Sequence, residues 1–326
     1  MAGRRRKKSG GRSYAWRYRG RIVACVFVEV IIICALVIMI GWNKGVKEWF
    51  EQFEQPVLKE VDISGINSPN AILMQARGGK ILGEINGEAQ IYPASMTKIM
   101  TVILGIENFD NLDEKITLTD EMFSGLYEQD ATQAGFQPGE EVRVIDLLYG
   151  AMLPSGAECC IALADTISGS EADFAELMNK KARKLGMENT HFCDSTGLHN
   201  PDHYSTVKDI AVLMKYCIKN DTFREIVEPS RHSTGVTNIH PDGITYYSTM
   251  FKNLSDPTVT GGKILGGKTG YTSEAGHCLV SFAEIEGREY IFVSAGASGA
   301  DGNTIPHIQD AVTIYNRVGA AIEAKM

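Results

Sequence analysis

The chain has 326 residues, 44% of them hydrophobic, with 33 Gly, 10 Pro and a formal net charge of −8. That composition excludes an intrinsically disordered protein and has room for one large domain or two small ones. The charge is unevenly spread: residues 1–21 carry nine Arg and Lys and no acid, so the remainder is strongly acidic, which argues against a nucleic-acid-binding body.

The basic tail leads into Ile22 to Trp42, "IVACVFVEVIIICALVIMIGW", 21 residues with Glu29 as the one charge. At about 1.5 Å per residue this run spans a hydrocarbon core of roughly 30 Å. Basic residues before it place that end in the cytoplasm and everything after Trp42 outside. A cleaved signal peptide is the competing reading, but its apolar region would be shorter, and Met39-Ile40-Gly41-Trp42-Asn43 offers no small-residue cleavage site. The expected layout is a basic cytoplasmic tail over 1–21, a retained signal anchor over 22–42, a juxtamembrane stalk over 43–66 and the main domain over 67–322. The cell membrane, crossed once, is the expected location.

From Ala71 the pattern is strand-like: "AILMQ", a turn at Arg77-Gly78-Gly79, then "KILGEI". The stretch "PASMTKIMTVILGIENF" reads as a helix with Pro93 at or just before its first turn. Further helical stretches follow as "EVRVIDLLYGAML", "GAECCIALADTI", "EADFAELMNKKARKL" and "VKDIAVLMKYCIK". His277 to Ile285 and Tyr290 to Ala297 read as strands joined at Glu286-Gly287, and a last helix starts near Pro306 and ends near Ala321. Strands at both ends with helices between them predict an α+β fold, one antiparallel sheet from both chain ends with an inserted helical region.

Several patterns invite chemistry. "GGKILGGKTG" contains a literal phosphate-loop match, Gly262, four residues, then Gly267-Lys268-Thr269. That loop needs a strand before it and a helix starting at the Lys-Thr, whereas a hairpin follows here, so no nucleotide is expected. His199 and His203 have a helical spacing that suits zinc, but Asn200-Pro201 between them prevents a helix, so no metal is expected. The seven cysteines show no CxxC pair and read as small buried hydrophobes.

Ser95-Met96-Thr97-Lys98 is different in kind. A spacing of three on a helix puts Ser95 and Lys98 on one face. A serine hydroxyl becomes a nucleophile when a base takes its proton, and a lysine serves as that base when its ammonium form is disfavoured. Pro154-Ser155-Gly156-Ala157 then opens another helix, and Lys268-Thr269-Gly270 leads into a strand. Taken singly, Ser95 and Ser155 suit N-caps and Lys98 a solvated surface; in this order and spacing the three stretches are hard to produce by accident.

Together they resemble the D-alanyl-D-alanine carboxypeptidases, low-molecular-weight penicillin-binding proteins that share a fold with serine β-lactamases. The resemblance runs from about Ala71 to Ala321 and extends to "QAGFQPGEEVRVIDLLYGAMLPSGAE", "MNKKARKLGMENTHFCDSTGLHNPDHYST" and "GGKTGYTSEAGHCLVS". It implies Ser95 as the acylated nucleophile, Lys98 as its base and Ser155 as a proton relay to the leaving amine. Lys268 and Thr269 would bind the substrate's terminal carboxylate, and the strand residues Gly270 and Tyr271 would border the substrate. The N–H groups of Ser95 and Tyr271 would form the oxyanion hole. It further implies stem peptides of peptidoglycan ending in D-Ala-D-Ala as substrate, β-lactams as inhibitors, and no cofactor. Two features depart from the family's pattern. Ala157 stands where the family usually has Asn, which reads as the loss of a substrate-positioning carboxamide and keeps a non-catalytic wall-binding scaffold in view. The chain also stops soon after the catalytic region. Apart from these departures, Glu176 only faintly echoes the deacylating glutamate of β-lactamases and reads as a solvated helix residue, which makes a β-lactamase the lesser alternative.

Overall fold

The computed structural model describes residues 58–299 and 305–325. The basic tail, the expected span at 22–42 and the stalk up to residue 57 lie outside the described residues. Among the described residues no helix is long and apolar enough to cross a membrane.

The sheet is built from both chain ends, as expected. The first hairpin, β1 (Asn70–Gln75) and β2 (Ile81–Ile85), sits beside strands that come some two hundred residues later: β7 (Thr258–Val259), β8 (Gly262–Thr272), β9 (Gly276–Ile285) and β10 (Arg288–Ala297). Their order is β2-β1-β10-β9-β8-β7, and every pair is antiparallel. The β9–β10 turn falls at the expected dipeptide. Glu286 (φ 48°) and Gly287 (φ 68°) both have positive φ, the backbone that a two-residue turn matching the strand twist requires.

Side-chain alternation along β9 divides the interior in two. Cys278, Val280 and Phe282 face the inserted helical region, while Leu279, Ala283 and Ile285 face the C-terminal helix. The helices are α1 (Lys98–Asn108), α2 (Val144–Met152), α3 (Ala157–Ser168), α4 (Glu171–Leu185), α5 (Val207–Cys217), α6 (Asp221–Val227) and α7 (Pro306–Glu323). Every residue of α1 from Lys98 to Gly105 is buried, so this helix runs through the helical region and carries the first motif into its centre. Of the cysteines among the described residues, Cys159, Cys160, Cys217 and Cys278 are buried and Cys193 half-buried, all as free thiols.

Three expectations need correction. Residues 58–66, expected in the stalk, pack on the domain: Leu58, Val61 and Ile63 are buried in the cluster beneath α7, and Arg317 Nη1 donates to the carbonyls of Asp62 (3.0 Å) and Ser64 (2.7 Å). Residues 141–143 are not helical: Glu141–Arg143 form β4, paired with β3 (Lys115–Thr117), and α2 starts at Val144; a further small sheet pairs β5 (Arg231–Ser233) with β6 (Thr245–Tyr247). The glycine-rich stretch 262–272 is itself the strand β8. Its glycines weaken the strand pattern because Gly is a poor strand former. They are needed there: a Cβ at Gly262 would collide with the Glu284 carbonyl and one at Gly267 with the Val280 carbonyl.

Candidate active site

The first motif is placed by a strained turn. Ala94 adopts a left-handed φ of 46°, and residues Ala94–Thr97 form a 3-10 turn that runs straight into α1 at Lys98. The spacing of three then works as expected. Lys98 Nζ donates to Ser95 Oγ at 3.1 Å and to the Thr196 carbonyl at 2.6 Å.

Lys98 is 3% exposed and Lys268 1%. Burial pulls both ammonium groups below their ordinary pKa of 10.5, and for Lys268 the neighbouring Lys98 charge pushes the same way. For Lys98, Cys160, Asp194, Glu158 and Cys159 oppose the shift. The Cys160 thiol is itself pushed up to about 12 by burial, so near neutrality it is uncharged and gives Lys98 no stabilising anion.

The turn that holds the Thr196 carbonyl on Lys98 is pinned from several sides. Asp194 Oδ1 accepts from Thr196 N (2.8 Å), Thr196 Oγ1 (2.7 Å) and Gly197 N (2.7 Å). Its other oxygen lies 3.2 Å from His203 Nδ1, and His203 Nε2 lies 2.9 Å from Thr97 Oγ1. Burial works against the Asp194 charge, but the His203 and Thr196 contacts outweigh it and hold the carboxyl at about 2. Glu171 accepts from Ser195 N (3.0 Å) and Ser195 Oγ (2.6 Å), and Thr101 Oγ1 donates to the Ser195 carbonyl at 2.6 Å. Gly197 (φ 80°) closes the turn against the Ala94 carbonyl, where a Cβ would collide.

Ser155 is not an N-cap. It is 5% exposed with a left-handed φ of 75°, and the cap of α3 is Gly156, with no side-chain bond. A serine in that conformation is costly by about 1–3 kcal/mol and persists where surrounding structure imposes it.

On the far side, β8 passes close to the serine turn. A Cβ on Gly270 would lie 3.0 Å from Ser95 N, tighter than an ordinary contact, so glycine eases the close approach of the strand. Lys268 Nζ donates to the Thr269 carbonyl at 2.9 Å, and Thr269 Oγ1 meets Thr249 Oγ1 at 2.7 Å. β7 pairs with β8 only at Lys263 and Gly262, so among the described residues the outer edge of β8 from Lys268 to Thr272 has no strand beside it. Tyr271 is 62% exposed, with its ring 4.6 Å from that of His277, which stacks in turn on His307 at 5.0 Å. Burial lowers both imidazoles, His307 to about 4, so this wall is uncharged at neutral pH.

These elements enclose a cleft of about 640 Å³ lined by Ser95, Thr132, Ser155, Thr249, Thr269, Gly270 and Tyr271, among others. The structure therefore brings five of the seven expected site residues to one cleft, with Lys98 and Lys268 buried beside it. Sequence reasoning missed Asp194, Thr196, Gly197, His203 and Thr249. The run Asp194-Ser195-Thr196-Gly197 carries a readable turn signal, an Asp bonding the backbone two residues on. His199 and His203 do not converge: His199 lies 3.8 Å from Glu274 and packs on Tyr92, while His203 serves Asp194 and Thr97. Glu176 is exposed on α4.

Ala157 is not an empty place. It is 1% exposed, its N–H donates to the Thr132 carbonyl at 2.8 Å, and a Cβ on neighbouring Gly156 would lie 2.7 Å from Ala134 Cβ. The 132–135 loop packs on this turn through the Ala157 N–H and Gly156.

A family model of D-alanyl-D-alanine carboxypeptidases (peptidase S11) matches residues 57–299. D-alanyl-D-alanine carboxypeptidase DacF of Bacillus subtilis is 35% identical over 231 residues, covering 70% of this chain and 57% of the relative. DacC of Escherichia coli is 33% identical over 261 residues, covering 73% and 58%. The chain thus spans under two thirds of the length of these relatives. Among solved structures, the Streptomyces K15 DD-transpeptidase superposes with a TM-score of 0.70 at 29% identity, covering 80% of this chain and 100% of that one. The D-alanyl-D-alanine carboxypeptidase of Mycobacterium tuberculosis, at 21% identity and a TM-score of 0.70, shares the fold.

Proposed function

Because the chain belongs to the D-alanyl-D-alanine carboxypeptidase family, we propose that it is a serine D,D-carboxypeptidase that removes the terminal D-Ala from peptidoglycan stem peptides. The observation that carries this reading is a buried lysine, Lys98, 3.1 Å from the Ser95 hydroxyl, with a second buried lysine on the strand that packs on Ser95.

In the proposed reaction the peptide lies along the free edge of β8 with its terminal carboxylate toward Thr269, Thr249 and the Lys268 charge. Neutral Lys98 accepts the Ser95 proton along the line of the existing contact, and Ser95 Oγ bonds to the carbonyl carbon of the penultimate D-Ala. The resulting oxyanion sits between the N–H groups of Ser95 and Tyr271. As the C–N bond breaks, Lys98 passes the proton it took from Ser95 through Ser155 to the departing nitrogen, D-Ala leaves, and Lys98 is neutral again. Water, activated by the same lysine, then hydrolyses the Ser95 ester. A β-lactam would acylate Ser95 by the same first step, its ring C–N bond opening while the nitrogen stays attached.

The run at 22–42 is proposed as the membrane anchor, which places the enzyme outside the cytoplasmic membrane beside its polymeric substrate. A non-catalytic scaffold is not favoured, because burying two lysines costs stability that a mere binder has no reason to bear. The test is release of D-Ala from a soluble peptide ending in D-Ala-D-Ala, run with and without an added amine acceptor. Hydrolysis in water alone is expected. No D-Ala release under either condition by folded protein overturns the reading, and release only with the amine makes the enzyme a transpeptidase instead.

A further inference from the structure

We propose that Thr132 contacts the substrate on the cleft wall where Ala157 offers no polar group, and that Glu158 is the positioning residue that holds it there; this rests on the acyl-transfer reading above. An extended peptide paired with the edge of β8 uses the N–H and C=O groups on one of its sides. Those on its other side face the opposite wall and need partners there. That wall includes Ser155 and Thr132, both of which line the cleft with Ser95. Ala157 is buried and carries only a methyl group.

The loop bearing Thr132 is clamped by the first turn of α3. The Thr132 carbonyl accepts from Ala157 N at 2.8 Å. Glu158 Oε1 accepts from Ala134 N at 2.6 Å and Gly135 N at 3.0 Å, and the Glu158 side chain is fully buried. A carboxylate spent on two loop N–H groups, directly after the alanine, ties the position of Thr132 to the motif turn. Ala134 packs against Gly156, where a Cβ would lie 2.7 Å from Ala134 Cβ, so the loop sits directly on the motif turn and its Thr132 hydroxyl is the polar side chain it brings to this wall.

The ligand group assigned to Thr132 is the amide of the substrate's acyl portion. Acylation by benzylpenicillin, which carries that amide, is compared with acylation by 6-aminopenicillanic acid, which lacks it. Thr132→Val should slow the benzylpenicillin reaction about 3- to 10-fold, the worth of one neutral hydrogen bond, and leave the 6-aminopenicillanic acid rate unchanged. Thr132→Ser should restore it to within about twofold, since the hydroxyl returns. Glu158→Ala should lower the benzylpenicillin rate, and the Thr132→Val change added to it should cost nothing further, because both act through one contact. Unchanged rates for Thr132→Val, an equal loss with both compounds, or additive losses in the double variant overturn the assignment. A folded wild type that neither compound acylates overturns the acyl-transfer reading itself, and this proposal with it.

Discussion

Beneath α7, the sheet offers Leu279, Ala283, Tyr290 and Phe292 to Ile314, Tyr315 and Val318, and the Tyr315 hydroxyl is bonded to Ser281 Oγ and Phe292 N, each at 3.1 Å. The opposite face turns Cys278, Val280 and Phe282 into the helical region with the same alternation, where α5 and the 94–97 turn lie against the sheet. There, however, the interior also holds Lys98 and Lys268, and its border carries Ala94 and Ser155 with left-handed φ. The first face follows the ordinary rules of burial. The second breaks them at four residues in or beside one cleft, and strain and buried charge gathered in one place are the physical marks of a working site. The comparison separates what holds the protein together from what makes it react.

It breaks most decisively at the base. Lys98→Arg keeps a cation that stays protonated at any working pH, so acylation by penicillin should fall about 10²- to 10⁴-fold. A rate within a few fold of wild type would remove Lys98 from its role. On the other face, Ile314→Ala should lower unfolding free energy by about 2–5 kcal/mol in a denaturant titration while the acylation rate of the folded protein stays the same. A matching loss of rate would mean that the two faces are not separable.

Ala157→Asn sharpens the picture of the closed turn. The sequence alone reads this position as a lost carboxamide, so that restoring Asn would speed acylation; with the loop packed on the turn, Asn should instead cost about 1–3 kcal/mol and slow the reaction. Faster acylation at an unchanged melting temperature would restore the simpler reading. The smallest effect concerns Lys268→Met, which should stabilise the protein by about 1–2 kcal/mol at neutral pH, because it removes a buried ammonium while abolishing its charge in the site. Since the native pKa of Lys268 lies below 10.5, the unfolded chain holds more protons between those values, and wild-type stability rises with pH across that window. The variant's advantage should therefore shrink as pH approaches 10.5, and an advantage that grows with pH would show that Lys268 is not disfavoured as a cation.

What was legible in the sequence is what local chemistry writes. The Ser95–Lys98 contact follows from a spacing of three, the β9–β10 turn from Glu286-Gly287, and α4 from the stretch "EADFAELMNKKARKL", which the structure finds capped by Ser170 accepting from Asp173 N and by left-handed Gly186. What was hidden depends on partners distant along the chain. β8 carries glycines where a strand pattern wants side chains, because neighbouring carbonyls crowd it. Thr97 meets His203 and Thr101 meets the Ser195 carbonyl across about a hundred residues, so no local pattern announces the network under Lys98. Ser155 looks like a cap by composition, and only its φ shows that the fold uses it otherwise. Ala157 reads as a deletion until the loop that covers it is seen.

The central claim, that Ser95 is the acylated nucleophile, is tested most directly by intact-protein mass spectrometry after incubation with benzylpenicillin, followed by peptide mapping. The wild type should gain the mass of one penicillin on the peptide containing Ser95, and Ser95→Ala, with an unchanged melting temperature, should gain none. An adduct of undiminished yield on Ser95→Ala, or no adduct on folded wild type, would contradict it.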